Sequence, residues 1–223
     1  MPDTPPSNPA ERINIGRPSR ARGLGARFDT QALRPPAVAA DEAGTLQRWP
    51  AGARALAAWC QTATPMLAVA ALQGPGDLAG AALLAWADAL ARQLDGGTRL
   101  DALPGRAAGL AWRLRIKLND ALPWRARRQD DPWDAGWALA SNTALRHWQV
   151  HWQPRRPTLV LAQIAQAEAL APALDALSRR LPPGAPAVRW LWVGGDGPTP
   201  QGLTLQRFML DQAAQKPALA GPP

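Results

Sequence analysis

The stretch that most constrains this chain is Met66 to Leu94. An apolar run (MLAVAAL) gives way to Gln73, Gly74, Pro75, Gly76 and Asp77, and these to an Ala/Leu-rich segment ending near Leu94. The run reads as a strand and the Gly/Pro cluster as a tight turn. In the third part Leu83, Trp86, Leu90 and Leu94 recur at i, i+3, i+7 and i+11, which makes one apolar helix face, with Asp88 and Arg92 paired at i, i+4 beside it. Gly96 and Gly97 supply the stop. Strand, glycine turn and helix in succession form the unit in which α/β proteins hold phosphates, because the first N–H groups of such a helix are free to bond an anion.

The flanking chain repeats the alternation. Leu56, Trp59 and Cys60 predict a helix over 51–61 that Pro65 closes; Thr158 to Ala162 (TLVLA) reads as a buried strand. A helix follows over 165–181 with Leu170, Leu174 and Leu177 on one face, then a strand from Val188 to Val193 (VRWLWV) closed by Gly194, Gly195, Asp196 and Gly197. Leu203 to Leu210 fits a last strand or a helix. Alternation of this kind predicts an α/β fold of three layers, a mostly parallel sheet with flanking helices. A chain of 223 residues with 47% hydrophobic content has material for one substantial core. The expected organisation is a disordered, basic, Pro-rich arm over 1–40, a single α/β domain over 45–211 and a flexible tail over 212–223. The arm carries Arg12, Arg17, Arg20, Arg22, Arg27 and Arg34 among its prolines and shows no sustained apolar period.

Two segments between these elements are harder to assign. From Leu110 to Asn119 apolar residues alternate with Arg113, Arg115 and Lys117, the pattern of a half-buried strand with three cations on one face. Leu110, Leu114, Leu118 and Leu122 equally fit a helical i, i+4 series, so a helix is the competing assignment. Asp131, Pro132 and Asp134 look like a helix start, with a cap, a first-position proline and an acidic first turn. In one continuous helix Trp133, Trp137, Trp148 and Trp152 share an arc of about 100°. A break at Ser141 and Asn142 would divide that helix in two.

The net charge of +8 suggests an anionic partner. Lysine occurs only at 117 and 216, so the charge is nearly all arginine, a pattern that a GC-rich genome also produces, and local clustering is better evidence than the total. One cysteine, Cys60, excludes an intramolecular disulfide or a multi-cysteine zinc site. The N-terminus has no apolar h-region, and Leu78 to Ala87 is about half of the roughly 20 residues needed to span a bilayer. The expectation is a cytoplasmic protein without a membrane span.

The turn after the first strand resembles the phosphate loop of P-loop NTPases, G-x-x-x-x-G-K-[ST]. With Gly74 at the first glycine, Ala79 falls at the second, Gly80 at the lysine and Ala81 at the hydroxyl position. The TLVLA strand ends in Gln163 where that family's metal-binding strand is expected to end in an acidic residue. The resemblance implies a degenerate member: without the lysine, the hydroxyl and the carboxylate, the main electrostatic supports of NTP hydrolysis are missing. It implies no catalytic residue, metal or cofactor, while Gly74, Gly76, Asp77 and Gly80 keep the form of an anion-holding loop.

His147 and His151 have two-histidine metal spacing without an identifiable third ligand, and Asp130, Asp131 and Asp134 are explained by capping. Ser141, Thr143 and Ser178 have no evident base. Arg113, Arg115, Lys117, Arg125, Arg127 and Arg128 form a candidate basic surface, with Trp148 and Trp152 as candidate aromatic anchors. Trp and Arg are favoured anchors of protein interfaces, and also serve single-stranded nucleic acid by stacking and phosphate pairing. The expected function is therefore an accessory or regulatory protein that binds a protein partner, with a nucleic-acid-binding module as the alternative.

Overall fold

The computed structural model describes residues 28–38, 42–62, 65–75, 80–97, 103–121 and 131–210. They form a mixed α/β fold around a six-stranded, mostly parallel sheet. The strands are β1 (Leu33–Arg34), β2 (Leu67–Gln73), β3 (Asp134–Ala138), β4 (Thr158–Gln163), β5 (Val188–Val193) and β6 (Leu205–Met209). The helices are α1 (Glu42–Gln47), α2 (Pro50–Cys60), α3 (Ala81–Asp95), α4 (Gly105–Ala121), α5 (Asn142–Val150) and α6 (Ala167–Arg180). The sheet order is β1-β3-β4-β5-β2-β6, with only β1 antiparallel to its neighbour.

This order explains how the core is divided. The chain leaves β2, passes over β5 and β4 to reach β3, and then returns through β4 to β5. Crossovers between parallel strands are right-handed, so outward and return journeys place their helices on opposite faces. One buried cluster accordingly joins Leu56 and Trp59 of α2 and Leu83, Trp86 and Leu90 of α3 to Leu72, Leu161 and Leu191 of the sheet. The other joins Trp148 of α5 and Leu170, Leu174 and Leu177 of α6 to Val69, Val160, Trp190 and Trp192. Successive strand residues alternate between the two clusters, which is the period-two geometry of a strand. Burial of each large apolar side chain contributes about 1.5–3 kcal/mol.

The helix from 51 to 61, the unit from β2 to α3, and β4, α6 and β5 all lie where periodicity places them. Gly96 ends α3 in the left-handed conformation, φ 78°. The 203–210 segment is a strand, β6.

Three assignments are corrected. Residues 110–119 are helical, within α4, and not a strand. Both periods fit the leucines, but none of the six paired strands takes up this segment, and a helix needs no partner strand. The helix satisfies its backbone locally and lays Trp112 across the end of α3, so close that a Cβ on Gly96 would lie 2.8 Å from the indole.

The supposed helix start at Asp131 to Asp134 leads into β3. Asp134 to Trp137 pair in register with Thr158 to Leu161, and the pairing overrides the local capping pattern. Gly136 leaves room for the chain on top of it, since a Cβ there would meet the Arg34 carbonyl at 2.7 Å. Ser141 is the true cap: its hydroxyl accepts from the Ala144 N–H at 3.3 Å and opens α5.

Residues 28–38, assigned by their prolines to the arm, belong to the fold. Leu33 and Arg34 pair with Ala138 and Trp137, and Ala32 and Leu33 are buried. The Asp29 carboxylate meets His147 Nε2 at 2.8 Å, and the Ala37 N–H donates to Asp88 Oδ1 at 3.0 Å. The remainder of the arm and the tail beyond Leu210 lie outside the described residues.

Candidate functional site at the carboxyl edge of the sheet

In an open parallel sheet, ligands bind outside the carboxyl ends of the strands, where successive connections leave in opposite directions. Here that place lies around the end of β2. Leu72 is in register with Val193 of β5, and Val193 with Gln163 of β4, so the three strand ends share one edge. At about 4.8 Å per strand, Gln163 stands about 10 Å from the end of β2. Backbone bonds tie this edge together: Gly194 N–H donates to the Leu72 carbonyl at 2.9 Å, and Leu210 N–H to the Gln73 carbonyl at 2.9 Å.

Asp196 organises the polar side chains. Its Oδ1 accepts from Gln73 Nε2 at 3.1 Å and its Oδ2 from Arg207 Nε at 2.7 Å. Both partners of the Asp196–Arg207 pair are exposed, so the pair contributes at most about 1 kcal/mol in water. Its effect is to commit the positive charge that Arg207 brings to this edge.

Gly80 starts α3 at φ 71° and ψ −105°, without a side-chain cap. L-residues rarely adopt this backbone, so the position is shaped for glycine. Gly76 and Asp77 lie outside the described residues. Beside Gln163, the side chain of Ile164 leans over the end of β5, where Cβ atoms added to Gly194 and Gly195 would stand 3.1 and 3.5 Å from it. An apolar side chain therefore lies against the glycine turn at the end of β5.

No family model, characterised protein or solved structure matches the chain.

The other candidate residues are dispersed. Trp148 and Trp152 pack ring to ring, centroids 4.5 Å apart, and Trp190 meets Trp148 edge-on at 5.5 Å. They are 0% and 2% exposed. These two indoles are core, which corrects their assignment as anchors for a partner. Arg113, Arg115 and Lys117 lie on α4, and Arg115 Nη2 reaches Asp131 Oδ1 at 3.4 Å. Arg125, Arg127 and Arg128 lie outside the described residues. The rings of His147 and His151 are tilted by 37° with centroids 5.9 Å apart, and His147 is engaged by Asp29.

A cleft of ≈ 440 Å³ at the opposite end of β3 is walled by Phe28, Pro36, Trp112 and Trp133. On its floor Asp134 receives two bonds from Arg155, at 2.7 and 2.8 Å, and faces Arg156 at 3.4 Å. Sequence reasoning passed over the Gln73–Asp196–Arg207 network as a site. Its signal was the run Gly194 to Gly197 after β5, which here turns the chain so that Asp196 faces β2.

Proposed function

We propose that this chain is a three-layer, P-loop-like protein that has abandoned catalysis, works without a cofactor in the cytoplasm, and binds a protein partner as an accessory or regulatory component. The observation that carries this reading is Gly80, at φ 71° and ψ −105° in the position aligned with the phosphate-loop lysine. Restoring a lysine there meets backbone strain as well as the loss of the hydroxyl at Ala81. Ile164 beside Gln163, and Asp196 holding Arg207, support the same reading.

The test is hydrolysis of ATP and GTP with Mg²⁺ by the purified full chain. Phosphate release should stay at the no-protein background. Release well above it, abolished by Gly74→Val, overturns the proposal.

The nucleic-acid reading loses its stacking half, because Trp148 and Trp152 are buried. It keeps the cations of α4, and it predicts binding to an oligonucleotide at about 50 mM salt that weakens steeply as salt rises.

A further inference from the structure

α4 is anchored on one side and open on the other. Ile116 is 9% exposed, Trp112 packs against Gly96, and Arg115 pairs with Asp131. One turn apart on the open side, Leu110 is 69% and Leu114 56% exposed, with Ala107 and Ala111 exposed beside them. At 100° per residue these four positions span about 100° of the helix. The positions of Arg106, Arg113 and Lys117, spaced i, i+7 and i+11, fall in a row along one border of that stripe. Across the whole helix, four basic residues stand against Asp120 alone.

We propose that this stripe is the docking surface for the protein partner, and that the partner presents an amphipathic helix with acidic flanks. The inference rests on the partner-binding reading above and adds the surface and the chemistry of its occupant. Two leucines one turn apart are the spacing that a facing helix covers with its own i, i+4 residues. The cationic row selects the charge. A second copy of α4 would bring two such rows together, which disfavours self-pairing, whereas acidic flanks complement the row and speed encounter. Nucleic acid would meet the cations but gains little from exposed leucines, and an apolar face of two leucines and two alanines is narrow for a lipid surface.

The experiment titrates the full chain into a fluorescein-labelled synthetic helix carrying one Leu stripe flanked by Glu, read by anisotropy. Comparators are the same peptide with Lys flanks, phosphatidylserine vesicles and a single-stranded oligonucleotide. The Glu peptide should bind, and the Lys peptide should bind at least about tenfold more weakly. The double variant Leu110→Ser, Leu114→Ser should lose at least about tenfold in affinity with its circular dichroism unchanged, because both side chains are exposed. Arg113→Glu with Lys117→Glu should invert the preference between the two peptides.

No binding of the Glu peptide, equal binding after the serine substitutions, or vesicle or oligonucleotide binding that depends on Leu110 and Leu114 overturns the proposal. If the peptide fails while hydrolysis stays at background, this surface is wrong and the non-catalytic reading stands. Hydrolysis that depends on the Gly74 turn overturns that reading whatever the peptide does.

Discussion

The guanidinium of Arg189 lies 5.8 Å from the ring centroid of Trp59, buried between β5 and the end of α2. Its Nε donates to the Trp59 carbonyl at 3.3 Å, Nη1 to the Pro65 carbonyl at 2.9 Å, and Nη2 to the Thr62 carbonyl. The last carbonyls of a helix have no partner within it, and the negative end of its dipole favours a cation. One side chain from the sheet thus closes α2 and fixes the entry to β2. Burial lowers the pKa of this arginine, with nearby Cys60 acting in the opposite direction. Arg180 does the same for α5, donating to the Trp148 and Trp152 carbonyls at 2.8 and 2.7 Å.

Arg189→Met should therefore destabilise the fold by about 2–4 kcal/mol, because the bonds of one buried guanidinium to the Trp59, Thr62 and Pro65 carbonyls are lost together, the Trp59 carbonyl keeping those from Thr62. Arg189→Lys should recover only part of this, since an ammonium cannot reproduce the planar fork. Urea denaturation measures both, and a loss under about 1 kcal/mol for the Met variant would show that the carbonyls find other partners.

Cys60 is 1% exposed, and burial pushes its thiol from an ordinary 9.0 up to about 12, with nearby Arg189 acting in the opposite direction. Above pH 9 the unfolded chain gives up this proton while the folded chain keeps it. The thiol's contribution to stability is therefore full below about pH 9 and declines as pH rises toward about 12. Native protein at about pH 8 should alkylate far more slowly than urea-unfolded protein. Cys60→Ala should flatten the fall of stability between about pH 9 and pH 11; an unchanged slope would disprove the assignment.

Gly80→Lys should cost about 1–2 kcal/mol, from backbone strain alone, because an added Cβ meets nothing within 4 Å. It should confer no ATP hydrolysis. A stable Lys variant that turned over nucleotide would contradict both statements.

Asp134→Asn should destabilise by about 3 kcal/mol, because Arg155 and Arg156 are largely buried against that carboxylate. The double variant with Arg155→Met should be less damaged than the sum of the singles. Additive losses in a double-mutant cycle would mean that the pair is not coupled.

Gly96→Ala should cost at least about 1 kcal/mol, since it combines a left-handed φ of 78° with a Cβ 2.8 Å from the Trp112 ring. Amide exchange in α4 should quicken more than in α3. Equal change in both helices would show that Trp112 is not what holds α4 in place.

The elements legible in the sequence are those whose apolar period has one interpretation. Leu83, Trp86 and Leu90 could face only one way on a helix, and VRWLWV and TLVLA were buried strands wherever their neighbours lay. The Asp196 network was not legible, because Gln73 precedes Asp196 by 123 residues and meets Asp196 and Arg207 only through the pairing of β2 with β5 and β6.

Met66 to Leu94 thus announced by itself a strand and a helix, because hydrogen bonding within the helix and burial of its stripe are local matters. Tertiary structure decided the remainder. Leu110 to Asn119 satisfied two periods and became a helix with Trp112 set against the end of α3; Asp134 to Ala138 carried a helix-start signal and became a strand once β4 offered its register. Trp148 and Trp152 could have faced water or core, and their place beside Trp190 was fixed by which face of the sheet the return crossovers must cover.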